Sequence, residues 1–325
     1  MLIIGVIAVI GTALAGPVTG AKAAPLRTPR ATPVSKADAP PTNLKEYPKR
    51  AAPTVNPALW HKGAPTASGE VIAITKSNGT IGIAYYDGAA GVSSSELYQD
   101  LVRTHVRGLI NPDSMAGSIA ARGITPDTVN ALLSCRYGSA TTFTCITGDT
   151  TPSHQYRWPD GCCAHPQVWF VDHTGNQWPV ASSTYEWNTA HGVDSNYVWA
   201  NCPNYSGQYC VNVTDANYGC TGWQGMTFVT APASGGYYLT SARVELNDDQ
   251  EVNCQDPAGQ WVDQQKNANG YRQDACHEMG HALGMGHNTQ PNSCLYGTIQ
   301  NSANELVPDS NDFTLIAQLY NDGNE

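Results

Sequence analysis

The chain has 325 residues, of which 41% are apolar and 14% charged. That balance is globular and excludes a disordered chain; the length allows one sizeable core with added segments, or two small domains. The net charge of −10 is unevenly spread. Residues 1–65 carry eight basic side chains against Asp38 and Glu46, whereas residues 166–325 carry three basic against seventeen acidic ones. So acidic a C-terminal half excludes nucleic acid and stable association with an anionic membrane as partners.

Residues 1–23 read as a secretory signal. The apolar run from Met1 is uncharged as far as Ala21, and Ala21-Lys22-Ala23 offers small residues around a cleavable bond. No Lys or Arg precedes the run, so an uncleaved N-terminal membrane anchor is the alternative to a secreted, extracellular protein. Residues 24–65 are rich in Pro and Ala and read as a linker or pro-segment, with Lys49-Arg50 as a candidate processing pair. Ten cysteines, an even number, suit disulfides in an exported protein.

Residues 66–163 read as a small α/β region, either a pro-domain of a zymogen or an accessory domain. Val71–Ile74 and Ile81–Tyr85 have strand character around an Asn78-Gly79 turn. Ser93 and Glu96 form a capping-box pattern ahead of Leu97 and Leu101. Thr125-Pro126 is a second helix start. Cys162-Cys163 reads as disulfide-bonded; a thiolate capping a metal is the alternative.

From Ala164 to Glu325 the texture is that of a mixed sheet packed by helices, an α+β domain. Val168–Val171 reads as a buried strand and Pro179–Ala190 as a helix with Val180, Tyr185 and Trp187 packing. Short strands are expected at Tyr197–Ala200, Cys210–Val213 and Met226–Val229. Tyr238–Leu246 alternates apolar and polar, as a half-exposed strand does. Helices are expected from Tyr271 to Leu283 and from Asp309 or Ser310 onward, the latter with Phe313, Ile316 and Tyr320 on one face.

The informative stretch runs from His277 to His287. Positions four apart on a helix lie one above the other, so His277 and His281 can hold one ion. Gly284 can adopt a left-handed conformation that turns the chain back and brings His287 to the same ion. Three neutral imidazoles suit zinc and leave a fourth position for water. Glu278, next to the first ligand, is placed to take a proton from that water as a general base. Two His at spacing four with Glu between, followed by Gly and a third His at fixed offsets, is a specific pattern.

These residues resemble those of the metzincin zinc endopeptidases, and the surrounding pattern is similar to a bacterial matrixin-type member. The resemblance spans roughly residues 164–325. It implies a twisted mixed sheet with an antiparallel edge strand, packed by the active-site helix and a terminal helix. Tyr238–Leu246 resembles the edge strand along which a peptide substrate lies. His277, His281 and His287 would be the zinc ligands, Glu278 the catalytic base, and proteins or peptides the substrates. One position departs: Leu295, in Ser293-Cys294-Leu295-Tyr296, stands where the family has the methionine beneath its metal. Leu is of similar size, so the turn is expected to survive, and a Cys276–Cys294 disulfide would tie it to the helix. Tyr296 would line a specificity pocket. Asp248, Asp249, Glu251 and Asp256 form an acidic loop that is a candidate for calcium. A non-catalytic zinc-containing secreted binding protein on the same fold is the competing function.

Overall fold

The computed structural model describes residues 70–88, 92–111, 135–139, 142–145, 156–161, 165–175, 177–204, 206–218, 221–233, 238–248, 254–255, 261–262, 268–288, 292–296 and 307–320. The signal, the Pro/Ala-rich stretch, the helix start at Thr125-Pro126, Cys162-Cys163 and three of the four acidic loop residues lie outside them. Among the described residues no helix is long and apolar enough to cross a membrane.

A hairpin comes first. Strands β1 (Glu70–Ser77) and β2 (Thr80–Gly88) pair antiparallel about Asn78-Gly79. Both turn residues have positive φ, 48° and 77°, as a two-residue primed turn requires. Helix α1 (Ser94–Arg103) follows, and its capping box is formed: Glu96 N donates to Ser93 Oγ and Ser93 N to Glu96. Leu97 and Leu101 are fully buried and pack with Val71, Ala73 and Ala84 on one face of the hairpin. A small separate pair, β3 (Cys135–Ser139) with β4 (Thr142–Cys145), lies further on.

The main sheet is built from β5 (Gln167–Asp172), β6 (Asp194–Trp199), β7 (Gln208–Ala216), β8 (Trp223–Pro232) and β9 (Ser241–Asn247). With the hairpin it has seven strands in the order β1-β2-β8-β9-β7-β5-β6. Strands β5, β6, β7 and β9 run parallel, and β8 runs antiparallel to β9. Helix α2 (Val180–Asn188) connects β5 to β6; β10 (Cys254–Gln255) pairs with β11 (Trp261–Val262); helices α3 (Ala268–Ala282) and α4 (Ser310–Tyr320) complete the domain. The mixed α+β architecture is the one expected.

One detail differs from expectation. The strand at Tyr238–Leu246 is not an edge: β9 has β7 on one side and β8 on the other. Its alternation reports faces. Ala242, Val244 and Leu246 point into the core while Arg243 and Glu245 point away. Alternation in a strand tells which face is wet, not whether a neighbour pairs with it. The antiparallel strand at that end of the domain's own sheet is β8, and β2 pairs along its whole length, from Thr80↔Pro232 to Gly88↔Trp223. Tyr156 and Trp158 are buried in the main core, and Trp158 Nε1 donates to Ala282 O at 2.9 Å.

A candidate metal centre shared by a helix, a turn and the hairpin

Helix α3 presents His277, Glu278 and His281, all buried. It passes close to α2: Trp187 Nε1 donates to Cys276 O at 2.9 Å, and a Cβ on Gly280 would stand 2.7 Å from both Trp187 Cζ2 and Leu295 Cδ2. Glycine at 280 is what permits that approach. The helix ends in a Schellman turn, with Gly284 N bonded to His281 O at 2.9 Å and Met285 N to Gly280 O at 3.0 Å. Gly284 has φ of 88°, and a Cβ there would also strike Tyr156 O at 2.3 Å. The reversal returns the chain so that His287 faces the two helical histidines. The three ring centroids are 4.7 to 5.0 Å apart.

Two rings are held from behind by main-chain acceptors. His277 Nδ1 lies 2.8 Å from Cys294 O and His281 Nδ1 2.9 Å from Met285 O. A carbonyl accepts only from N–H, so both rings have their proton at Nδ1 and, when neutral, their lone pair at Nε2. The Ser293–Tyr296 turn forms with Leu295 fully buried; Asn288 N donates to Leu295 O at 2.7 Å and Leu295 N to Ser293 Oγ at 2.9 Å. Cys276 and Cys294 are disulfide-bonded. Asp312 on α4 fixes the turn by accepting from Ser293 Oγ at 2.6 Å and from Asn288 Nδ2 at 2.7 Å.

The fourth side chain comes from the hairpin. Asp87 is fully buried, with its oxygens 2.7 Å from His287 Nε2, 3.2 Å from His277 Nε2 and 3.3 Å from His281 Nε2. One ligand atom from each of the four residues lies within 4.8 Å of every other. Two Nε2 positions thus face a carboxylate in a place closed to water, an arrangement that favours positive charge there, whether a proton on a ring or a metal ion. Donor atoms about 2 Å from a tetrahedral zinc are about 3.3 Å from one another. Behind His287, Nδ1 faces Glu70 Oε2 at 3.2 Å, a carboxylate backing of the kind that orients metal-bound imidazoles. The residues present fit zinc by donor type, number and spacing.

Residues 231–321 match the model of the matrixin family of peptidases. This part of the chain is similar to the matrixins. The match runs from the end of β8 through β9, α3, the Ser293–Tyr296 turn and α4. Among curated proteins, none matches the chain. Matrixins are zinc metallopeptidases, and the His277/His281/His287/Asp87 cluster lies where the matched stretch meets the hairpin.

Glu278 sits beneath β8. Thr227 Oγ1 is 2.6 Å from Glu278 Oε2 and 2.8 Å from Glu278 O. One hydroxyl has one proton to give, and Thr227 shares it between the Glu278 carbonyl and its carboxylate. Burial, then the charges of Asp87 and Asp274, push the Glu278 carboxyl well above the usual carboxylate range. Asp87 moves the other way: burial works against its ionisation, but the imidazoles of His277, His287 and His281 hold it well below its ordinary value. Gly225 is the strand position above Glu278, and a Cβ there would lie 2.2 Å from Glu278 Oε1.

Asp87, Glu70, Gly225 and Thr227 were not singled out from the sequence. For Asp87 a signal was present. Ile81, Ile83, Tyr85 and Asp87 alternate along one strand, all buried, so the run of inward apolar residues ends on a carboxylate. An acid at an inward position needs a partner. The calcium expectation gains no support. Asp248, the one acidic loop residue described, accepts from Trp178 Nε1 at 2.7 Å and Gln177 Nε2 at 2.8 Å. Tyr296 pairs in an isolated bridge with Asn288 beside the turn.

Proposed function

We propose that the protein is an exported zinc-dependent endopeptidase in which His277, His281 and His287 hold the metal and Glu278 is the general base. The observation that carries this reading is the convergence of three imidazole Nε2 atoms beside a buried glutamate within the stretch similar to the matrixins. Zinc bound there would acidify a water and polarise the scissile carbonyl. Glu278 would take the proton of the attacking water and pass it to the leaving amine. Thr227 holds the carboxyl against β8 for that transfer. A peptide lying along β8 would be aligned by main-chain hydrogen bonds, as an added strand is. Export is supported by the disulfides Cys202–Cys210 and Cys276–Cys294. In this reading residues 1–23 are the signal, 24–65 a linker or pro-segment, 66–163 a pro-region and 164–325 the catalytic part, whose core also takes in Tyr156 and Trp158.

A second reading rests on Asp87. Four protein ligands make a closed site, and closed zinc sites are structural; the protein would then be a zinc-containing binding protein without turnover. Hydrolysis of casein decides between the two. It would be measured on the zinc-loaded chain and its Asp87→Ala variant, with and without a chelator, beside Glu278→Gln in both backgrounds. Chelator-sensitive hydrolysis that zinc restores and Glu278→Gln abolishes is the expected result. One zinc per chain with no hydrolysis in either background would establish the binding-protein reading instead.

A further inference from the structure

We propose that Trp158 and Tyr320 are positioning residues of the metal centre: together they hold the end of helix α3, and so fix the loop that carries the Met285 carbonyl and His287. The inference rests on the zinc reading above. It extends the site to residues 156–158, which lie outside both the His277–His287 pattern and the matched stretch 231–321.

The last carbonyls of a helix have no partner within it, and each needs one when buried. At the end of α3, those of Met279, Gly280 and His281 accept from Leu283 N, Met285 N and Gly284 N at 3.1, 3.0 and 2.9 Å. The next two are taken by side chains. Trp158 Nε1 donates to Ala282 O at 2.9 Å, and the Tyr320 hydroxyl donates to Leu283 O at 2.6 Å. Both donors are buried, and they are joined: Trp158 N donates to the Tyr320 hydroxyl at 3.4 Å. One comes from 124 positions away and the other from 37.

The two carbonyls lie between His281 and His287 in the chain, so a shift there moves both ligands. Gly284, next in line, turns beneath Tyr156 O, the atom that a Cβ would meet at 2.3 Å. Met285 follows, and its carbonyl lies 2.9 Å from His281 Nδ1. Residues 156–158 are themselves tied to the sheet. Leu239 N donates to Arg157 O at 2.8 Å beside the start of β9, and the Trp158 ring stacks on Tyr209 of β7 with centroids 4.7 Å apart. The clamp thus refers the metal loop to two strands of the sheet. It does so unequally for the two helical ligands. His281 takes its backing from the clamped loop, whereas His277 takes its own from Cys294 O in the separate Ser293–Tyr296 turn. Groups that orient a metal-bound imidazole govern how tightly the metal is held.

The test uses the full zinc-loaded chain with Trp158→Phe, Tyr320→Phe and the double variant, each of which keeps an aromatic ring and removes the donor. Val168→Ala, which opens space in the same core on β5, lowers stability with the clamp intact. Urea unfolding ranks all the variants. Zinc affinity is measured against a chelator, and the imidazole N–H protons of His277 and His281 are followed by nuclear magnetic resonance. The double variant is expected to bind zinc about tenfold more weakly than wild type. The His281 Nδ1–H resonance should shift in both single variants while that of His277 stays in place. Val168→Ala should keep both resonances and the wild-type affinity. An affinity that falls no further in the double variant than in Val168→Ala, an unmoved His281 resonance, or equal shifts at His277 and His281 would overturn the proposal. A wild type that binds no zinc would overturn it together with the zinc reading. Affinity and resonances that change as expected, with no casein hydrolysis by wild type or Asp87→Ala, would uphold the clamp and remove the peptidase reading instead.

Discussion

Cys294 grips helix α3 twice: its carbonyl lies 2.8 Å from His277 Nδ1, and its sulfur is bonded to Cys276, the residue next to that histidine. The turn beneath the metal position and the helix that carries two ligands are one mechanical unit. Replacing both cysteines by serine removes the covalent link and leaves the carbonyl contact. A loss of about 2–4 kcal/mol in stability is expected, read from urea unfolding. Zinc retention against a chelator should also weaken, since the turn whose carbonyl orients the ring would be held less firmly to the helix. Unchanged zinc affinity would show that the disulfide serves stability alone.

Glu278 is held by two groups of β8, and each can be tested in the Asp87→Ala background. Gly225→Ala would put a Cβ 2.2 Å from Glu278 Oε1 and 2.4 Å from Asp274 Oδ1. The carboxyl must move, and misplacement of about 1 Å costs about a hundredfold in rate. Zinc content should be unaffected. Thr227→Val keeps the shape and removes the hydroxyl. It should lower kcat with KM little changed, and Thr227→Ser should restore the rate. A KM effect without a kcat effect would mean that Thr227 shapes the cleft and does not position the base.

The stability of the β5–α2 corner should depend on pH through Asp215. Burial raises this carboxyl, the Gly175 N–H opposes the rise and Asp248 adds to it, from 3.8 to about 6. A raised acid favours the folded state fully below its unfolded value, and the benefit is lost as pH climbs through about 6. Asp215→Asn keeps an acceptor for Gly175 N, which lies 2.8 Å away. Because Asp215 is only half-buried, the variant should gain about 1 kcal/mol at neutral pH after screening, and nothing near pH 4. Urea midpoints of both proteins between these pH values check the slope; parallel curves would remove Asp215 as the cause.

Leu295→Met is expected to be mild. The side chain is fully buried against the Gly280 face of α3, and a swap of similar volume costs less than about 1.5 kcal/mol. Zinc affinity should hold within a factor of about three by the same reasoning. Gly280→Ala, by contrast, meets Leu295 and Trp187 at 2.7 Å and should be strongly destabilising. Thermal unfolding of the two variants side by side makes the comparison.

The sequence alone determined what is local. The spacing of His277, His281 and His287, the glycine that turns the chain at 284, the Asn78-Gly79 turn and the Ser93–Glu96 capping box each depend on a few neighbouring residues, and the period of a helix or the sterics of a turn decides them. Tertiary structure alone decided what those pieces meet. Asp87 and His287 are 200 positions apart and touch at 2.7 Å. That contact exists because β2 pairs with β8, and strand pairing is set by main-chain hydrogen bonds that every sequence can make. Neighbours in a sheet are chosen by the packing of whole faces, so the alternation of Tyr238–Leu246 could show which face was buried and not which strand lay beside it. For the same reason the hairpin's inward acid was visible as an anomaly, while its partners were not.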